Sequence, residues 1–293
     1  MQEDTSCLEY LEVWECPSLA SLSSRGQLPT TLKHLHIRDC ERLESITNMF
    51  HRETCLEHIV IQSCANLKSL PDGLCDLSHL QQLIVMDCGS LLSFPSGGLP
   101  TAASNLTSIF VYNCDSLEAF PRGMDKHISL QTLWIGYCEG LASILEEGFS
   151  PNLVELYIVN PLCCKPLSEW GLQLHRLNSL KELWIQGVDP KLVSFPPEEM
   201  EMLLPKSLIK IRIGDFPKLR RLSSKAFQSL TSLESLRIED CPKLASIPEE
   251  DLPISLTQLH ISNYRIVHTK RLVTGIPFSP VEQVLKHQLR VQG

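Results

Sequence analysis

The sequence predicts an α/β solenoid, with a curved parallel sheet on its concave side and irregular loops with short helical turns on its convex side. Two observations carry that prediction. One phrase recurs eleven times in the 293 residues: Leu, two variable residues, an aliphatic, one variable residue, an aliphatic, two variable residues, and most often Cys. The copies begin at Leu8, Leu32, Leu56, Leu80, Leu106, Leu130, Leu153, Leu180, Leu208, Leu233 and Leu256, at intervals of 23 to 28 residues. A period of this size marks a unit that cannot cover its own apolar side and therefore buries it against its neighbours.

The copy LQQLIVMDC, Leu80 to Cys88, shows the physics. Leu83 and Val85 are two residues apart and share one face of a strand, while Gln82, Ile84 and Met86 share the other. Beyond the Cys a further Leu returns to the core, as at Leu91, Leu117 and Leu244, and Pro follows soon after in SFP, AFP and SIP. Proline lacks the donor that a further strand pairing would need. This is a leucine-rich repeat. The phrases place parallel strands at about residues 10–14, 34–38, 58–62, 82–86, 108–112, 132–136, 155–159, 182–186, 210–214, 235–239 and 258–262. Ten steps of roughly 4.8 Å make an inner surface on the order of 50 Å long.

One array of about eleven repeats is expected over residues 1–264, followed by a non-repeat tail at 265–293. The array carries a net charge of −12 and the tail +4. In the tail, Ser279-Pro280 can open a helix with Val281, Val284, Leu285 and Leu289 as its apolar stripe, so a short capping helix is expected. The first phrase begins at Leu8 with almost no room for an N-terminal cap, which points to a preceding domain in a longer protein. No run of 18 apolar residues occurs, and the start MQEDTSCLEYLEV is acidic without an apolar stretch. A cytoplasmic or nucleocytoplasmic protein without a membrane span is expected, and nucleic acid is not an expected partner. The single sequon, Asn105-Leu106-Thr107, reads as coincidental.

Seven of the twelve cysteines, Cys16, Cys40, Cys64, Cys88, Cys114, Cys138 and Cys241, fill the ninth place of the phrase. That place points inward at the strand-to-loop corner, so a ladder of buried, reduced, structural thiols is expected. No paired C-x-x-C spacing suggests zinc. Cys163 and Cys164 are adjacent and could form a redox pair. His34, His36 and His58 fall in neighbouring strand positions, where exposed imidazoles on a polar face are the ordinary reading and a metal site the sharper one. Nucleotide-binding, zinc-protease and nucleophile-elbow motifs are missing, and no catalytic site, cofactor or metal is expected.

The third, fifth and seventh places of each phrase face the concave side. The fifth reads Glu12, His36, Val60, Ile84, Phe110, Trp134, Tyr157, Trp184, Arg212, Arg237 and His260, apolar or aromatic over six consecutive strands. Cross-strand aromatic pairs can simply stabilise a sheet. Against that reading, a contiguous apolar surface rich in Trp, Tyr and Arg usually marks an interaction site. A protein-binding surface is therefore expected at Phe110, Tyr112, Trp134, Tyr157, Trp184, Arg212 and Arg237, and Trp134→Ala or Trp184→Ala should leave the fold nearly unchanged. Pro161, Pro166, Pro190 and Trp170 suggest a break in loop stacking beside this surface.

Phrases such as LKHLHIRDCERLESI, LTSIFVYNCDSLEAFP and LESLRIEDCPKLASIP, with linkers such as EEDLPISL, resemble the leucine-rich region of plant intracellular immune receptors of the coiled-coil, nucleotide-binding type. The resemblance covers about residues 6 to 264. It implies detection of a pathogen effector or a guarded host protein, and a nucleotide-binding domain, absent from this chain, as an N-terminal partner. Two departures stand out: the missing domains and a tail unlike the usual family ending. The alternative is the substrate-binding repeat region of an F-box ubiquitin ligase adaptor, whose repeats also place Cys ninth but continue into a regular helix.

Overall fold

The computed structural model describes residues 7–23, 27–100, 105–141, 148–159, 174–187, 189–197, 204–245, 247 and 252–263. Eleven five-residue strands form one parallel sheet in chain order: β1 (Tyr10–Trp14), β2 (His34–Arg38), β3 (His58–Gln62), β4 (Gln82–Met86), β5 (Ser108–Tyr112), β6 (Thr132–Gly136), β7 (Glu155–Val159), β8 (Glu182–Gln186), β10 (Lys210–Gly214), β12 (Ser235–Glu239) and β13 (Gln258–Ser262). Their bounds agree with the sequence expectation throughout. Two short strands absent from that expectation, β9 (Ser194–Phe195) and β11 (Arg221–Leu222), pair on the outer side. Among the described residues the outer side also carries 3-10 turns at Leu74–Asp76, Met124–Lys126 and Leu174–Arg176 and one short helix, α1 (Ser224–Gln228).

Register follows the phrase without slippage. Leu83 pairs with Ile59 and Ile109, and Val85 with Ile61 and Val111. These fourth- and sixth-place side chains, with the leading Leu of each phrase, form one continuous core in which Leu35, Ile61, Leu83, Val111, Ile135, Ile185 and Leu236 are fully buried. Full burial of such a side chain contributes roughly 1.5–3 kcal/mol relative to exposure. The core thins at the last strand, where Leu259 and Ile261 are 44% and 51% exposed.

The corner after each strand has a chemical logic of its own. Its eighth-place residue sits in the left-handed region, with φ near +50° at Glu15, Asp39, Ser63, Asp87, Asn113, Tyr137, Asp215 and Asp240, and +67° at Gly187. Asp and Asn tolerate that conformation better than most residues. The turn lets the eighth-place N–H extend the ladder by one bond, as in Asp87 N–H to Tyr112 O and Asn113 N–H to Gly136 O, both 2.9 Å. The chain then closes a tight turn in which the Leu of Cys-x-x-Leu donates to the Cys carbonyl, at 3.1 Å for Leu43, Leu67, Leu91 and Leu117.

Linkers are tied down by hydroxyls. Ser207 Oγ donates toward Leu180 O at 2.7 Å and Ser255 Oγ toward Leu233 O at 2.8 Å, which explains the serine of the L-P-x-S-L linker. In repeat nine the ninth place is Phe216 instead of Cys, and its ring lies 6.2 Å from Phe195, itself 6.5 Å from Phe227. Near Pro190 the turn is rebuilt by Asp189, whose carboxylate accepts from Lys191 N–H at 2.9 Å. Pro161, Cys163, Cys164, Pro166, Trp170 and the tail 265–293 lie outside the described residues.

Candidate functional site

The parallel register aligns the fifth-place residues into a single column along the concave face, Phe110 beside Trp134, Trp134 beside Tyr157 and Tyr157 beside Trp184, with Arg212 and Arg237 continuing it. Centroid separations of 6.0, 5.6 and 6.1 Å join the four rings. Tyr112 meets Trp134 edge-on at 6.1 Å, and Tyr137 meets Tyr112 at 5.1 Å. These distances fall in the range of favourable aromatic pairs.

One expectation needs correction here. Phe110, Trp134, Tyr157 and Trp184 were expected to project freely, yet they are only 3%, 3%, 6% and 7% exposed. Strands about 4.8 Å apart bring successive large rings into contact, and third- and seventh-place side chains flank them. The column is thus a second apolar layer on the concave side of the sheet. Within it Trp134 Nε1 is buried and has no acceptor among the described residues. Removal of Trp134 or Trp184 would open a hole instead of baring a neutral surface.

Partly exposed groups frame this layer: Met86 and Tyr112 along one side, and a charged section beyond β6. Over β3 to β6 the concave places carry no formally charged Asp, Glu, Lys or Arg. From β7 onward ion pairs appear. Lys210 Nζ bonds Glu182, which also accepts from the Tyr157 hydroxyl at 3.2 Å. Glu155 accepts from Thr132 Oγ1 at 3.2 Å, and burial, followed by the Glu182 charge beside it, holds its carboxyl above the usual range. Arg212 Nε donates to Glu239 at 2.8 Å while its guanidinium carbon lies 3.8 Å over the Trp184 ring. Arg237 is the more exposed cation, 3.8 Å from the same Glu239.

At the other end of the face His34 and His58 stack at 4.9 Å with an interplanar angle of 3°, and His36 Nδ1 lies 3.1 Å from the Tyr10 hydroxyl. Burial pushes the His36 ring down to about 4, with Arg38 adding to the effect, and lowers His58 as well. No group of three His, Cys, Asp or Glu side chains among the described residues could hold a metal ion.

The ninth-place thiols form a separate column beneath the corner. Cys40, Cys64, Cys88, Cys114, Cys138 and Cys241 are buried and unbridged, and Cys16 is half-buried. Each donates to the carbonyl two residues earlier, for example Cys40 to Arg38 O at 3.2 Å and Cys88 to Met86 O at 3.3 Å. Burial pushes the Cys88 thiol up to about 12, which keeps it protonated and unreactive.

Residues 1–139 match the family described as plant disease resistance protein RPS2-like, leucine-rich repeats. Over that span the repeats are similar to those of plant disease resistance proteins. At3g14460 of Arabidopsis thaliana, named as a candidate disease resistance protein, is 41% identical over 118 residues, or 40% of this chain. That match spans 8% of the relative's own length. Among solved structures, the leucine-rich repeat domain of the type III effector XopL superposes with a TM-score of 0.56 at 19% identity, over 86% of this chain and 76% of that one. The likeness to XopL shows the fold alone.

Sequence reasoning missed three participants in this array: Tyr137, Glu239 and the Tyr10–His36 contact. Tyr137 could have been noticed as an aromatic in a place otherwise held mainly by Asp, Asn, Ser or Gly. Glu239 lies in the seventh place, two residues beyond Arg237, the register partner of Arg212, so register makes it a diagonal neighbour of Arg212 on the next strand.

Proposed function

We propose that the concave face is the protein-recognition surface of a plant immune receptor, sensing a pathogen effector or a guarded host protein. Leucine-rich repeats of the disease resistance type are protein-interaction modules, and the function is binding in place of catalysis. A register-locked concave face with an uncharged middle and a charged flank carries this reading. The buried column of Phe110, Trp134, Tyr157 and Trp184 sets the shape, and Tyr112, Arg212 and Arg237 meet the partner. An uncharged surface costs little to desolvate, while the ion pairs beyond β6 penalise a partner with the wrong charge pattern.

The array at 1–264 works with a nucleotide-binding domain supplied by the rest of the receptor, and the setting is cytoplasmic. Among the described residues no helix is long and apolar enough to cross a membrane. The family match favours this reading over an F-box adaptor.

The test compares Tyr112→Ala and Arg237→Glu with a convex control, Glu118→Ala, after a partner has been captured and purified. A concave anchor contributes about 2 kcal/mol, so Tyr112→Ala should weaken binding roughly thirtyfold. Wild-type affinity in both concave variants would overturn the assignment.

A further inference from the structure

The outer side of repeats two to four holds a cleft of about 310 Å³, at the small end of ligand-binding pockets. Its floor is apolar and buried, made by Ile46, Leu70 and Phe94. Its rim is polar and exposed, made by Asn48, Ser69, Asp72, Ser93 and Ser96. Ser69 and Ser93 occupy one register through a parallel bridge, and the next residue in that register is Ala119, where the hydroxyl column stops.

One wall is held in place by backbone. Met49 bridges to Asp72, and Phe50 N–H donates to Asp72 O at 2.6 Å. Gly73, at φ +77°, permits this approach, since a Cβ there would lie 2.1 Å from Phe50 O. The wall therefore leans on repeat three by design of the chain and not by a flexible side chain.

The chemistry of the lining selects a ligand class. Asp72 is the one charged residue among those lining the cleft, and no Lys, Arg or His joins it, so an anion gains nothing there. A carboxylate, a carboxamide and several hydroxyls around an apolar floor suit a molecule with hydroxyls on its edge and C–H groups on its face. We propose that this cleft binds one ring of a neutral saccharide, seated on Leu70 and Phe94 and hydrogen-bonded by Asn48, Ser69, Asp72 and Ser93. The cleft lies apart from the concave surface and does not depend on the function proposed for it.

Saturation-transfer NMR on the full chain tests this with glucose, galactose, mannose and N-acetylglucosamine, using glucose 6-phosphate and glucuronate as anionic controls. At least one neutral sugar should bind in the millimolar range. Asn48→Ala and Asp72→Ala should each weaken it about tenfold while the melting temperature stays at the parent value. A glycoprotein compared with its deglycosylated form then tells a protein-borne glycan from a free sugar. The proposal falls if no neutral sugar shows transfer at tens of millimolar, if both variants bind like the parent, or if the anionic controls bind equally well.

Discussion

The guanidinium of Arg212 caps the Trp184 ring at 3.8 Å and at the same time holds Glu239 through Nε at 2.8 Å. One side chain thereby closes the aromatic column and opens the charged section. Both members of the ion pair are less than one-third exposed, at 27% and 18%, so solvent screens the pair only partly. Arg212→Ala should cost about 1–2 kcal/mol, since it removes a cation over an indole and a forked carboxylate contact together. Arg212→Lys should recover little, because an ammonium cannot stack and fork at once. Urea unfolding measures the cost, and a red shift of tryptophan emission reports the uncapped ring. Unchanged stability in Arg212→Ala would show that the contact is incidental.

Trp134 behaves as a core residue. With Phe110, Tyr112, Tyr157 and Trp184 packed around it, Trp134→Ala should cost about 3 kcal/mol, comparable with the roughly 2–5 kcal/mol of Leu133→Ala. Thermal melting of the two variants side by side decides the matter. If Trp134→Ala melts with the parent, the rings do not form a second layer.

The left-handed corners make a backbone prediction. Ser63 adopts φ +55°. Ser63→Gly should be neutral or slightly stabilising in the folded state, whereas Ser63→Val forces a β-branched residue into that region at a cost of about 1–2 kcal/mol. A Val variant as stable as the Gly variant would mean the corner relaxes to another conformation.

Acid should loosen the histidine end of the face. His36 and His58 have folded-state values below the ordinary 6.5, His36 at about 4. Below pH 6.5 the unfolded chain therefore binds more protons than the folded one, so stability is present above that pH and is lost as pH falls toward 4. Protonation would also set a charge on His58 against the stacked His34, with Arg38 nearby and Glu12 and Glu57 as compensating carboxylates. His36→Phe should flatten the slope of melting temperature against pH between 6.5 and 4. An unaltered slope would place the acid sensitivity elsewhere.

Strand positions and register were legible in the sequence because both depend on local, repeated physics: alternation puts Leu83 and Val85 on one side, and a fixed period aligns Leu83 with Ile59 and Ile109. The concave placement of Phe110, Trp134, Tyr157 and Trp184 follows from the same alternation. Their exposure does not. Whether a ring faces solvent depends on what stands beside it on the next strand, and only the stacked structure brought four large rings within about 6 Å of one another. The ion pairs of Arg212 with Glu239 and Lys210 with Glu182 likewise join residues 27 and 28 positions apart. Register named them as neighbours, but side-chain direction decided that they bond. The cleft above Phe94 belongs wholly to the tertiary structure, since the irregular loop at Asn48 to Phe50 had to lean on Asp72 and Gly73 to form its wall. Periodic burial is encoded in each repeat, whereas contacts between repeats are settled only when neighbouring side chains compete for the same space.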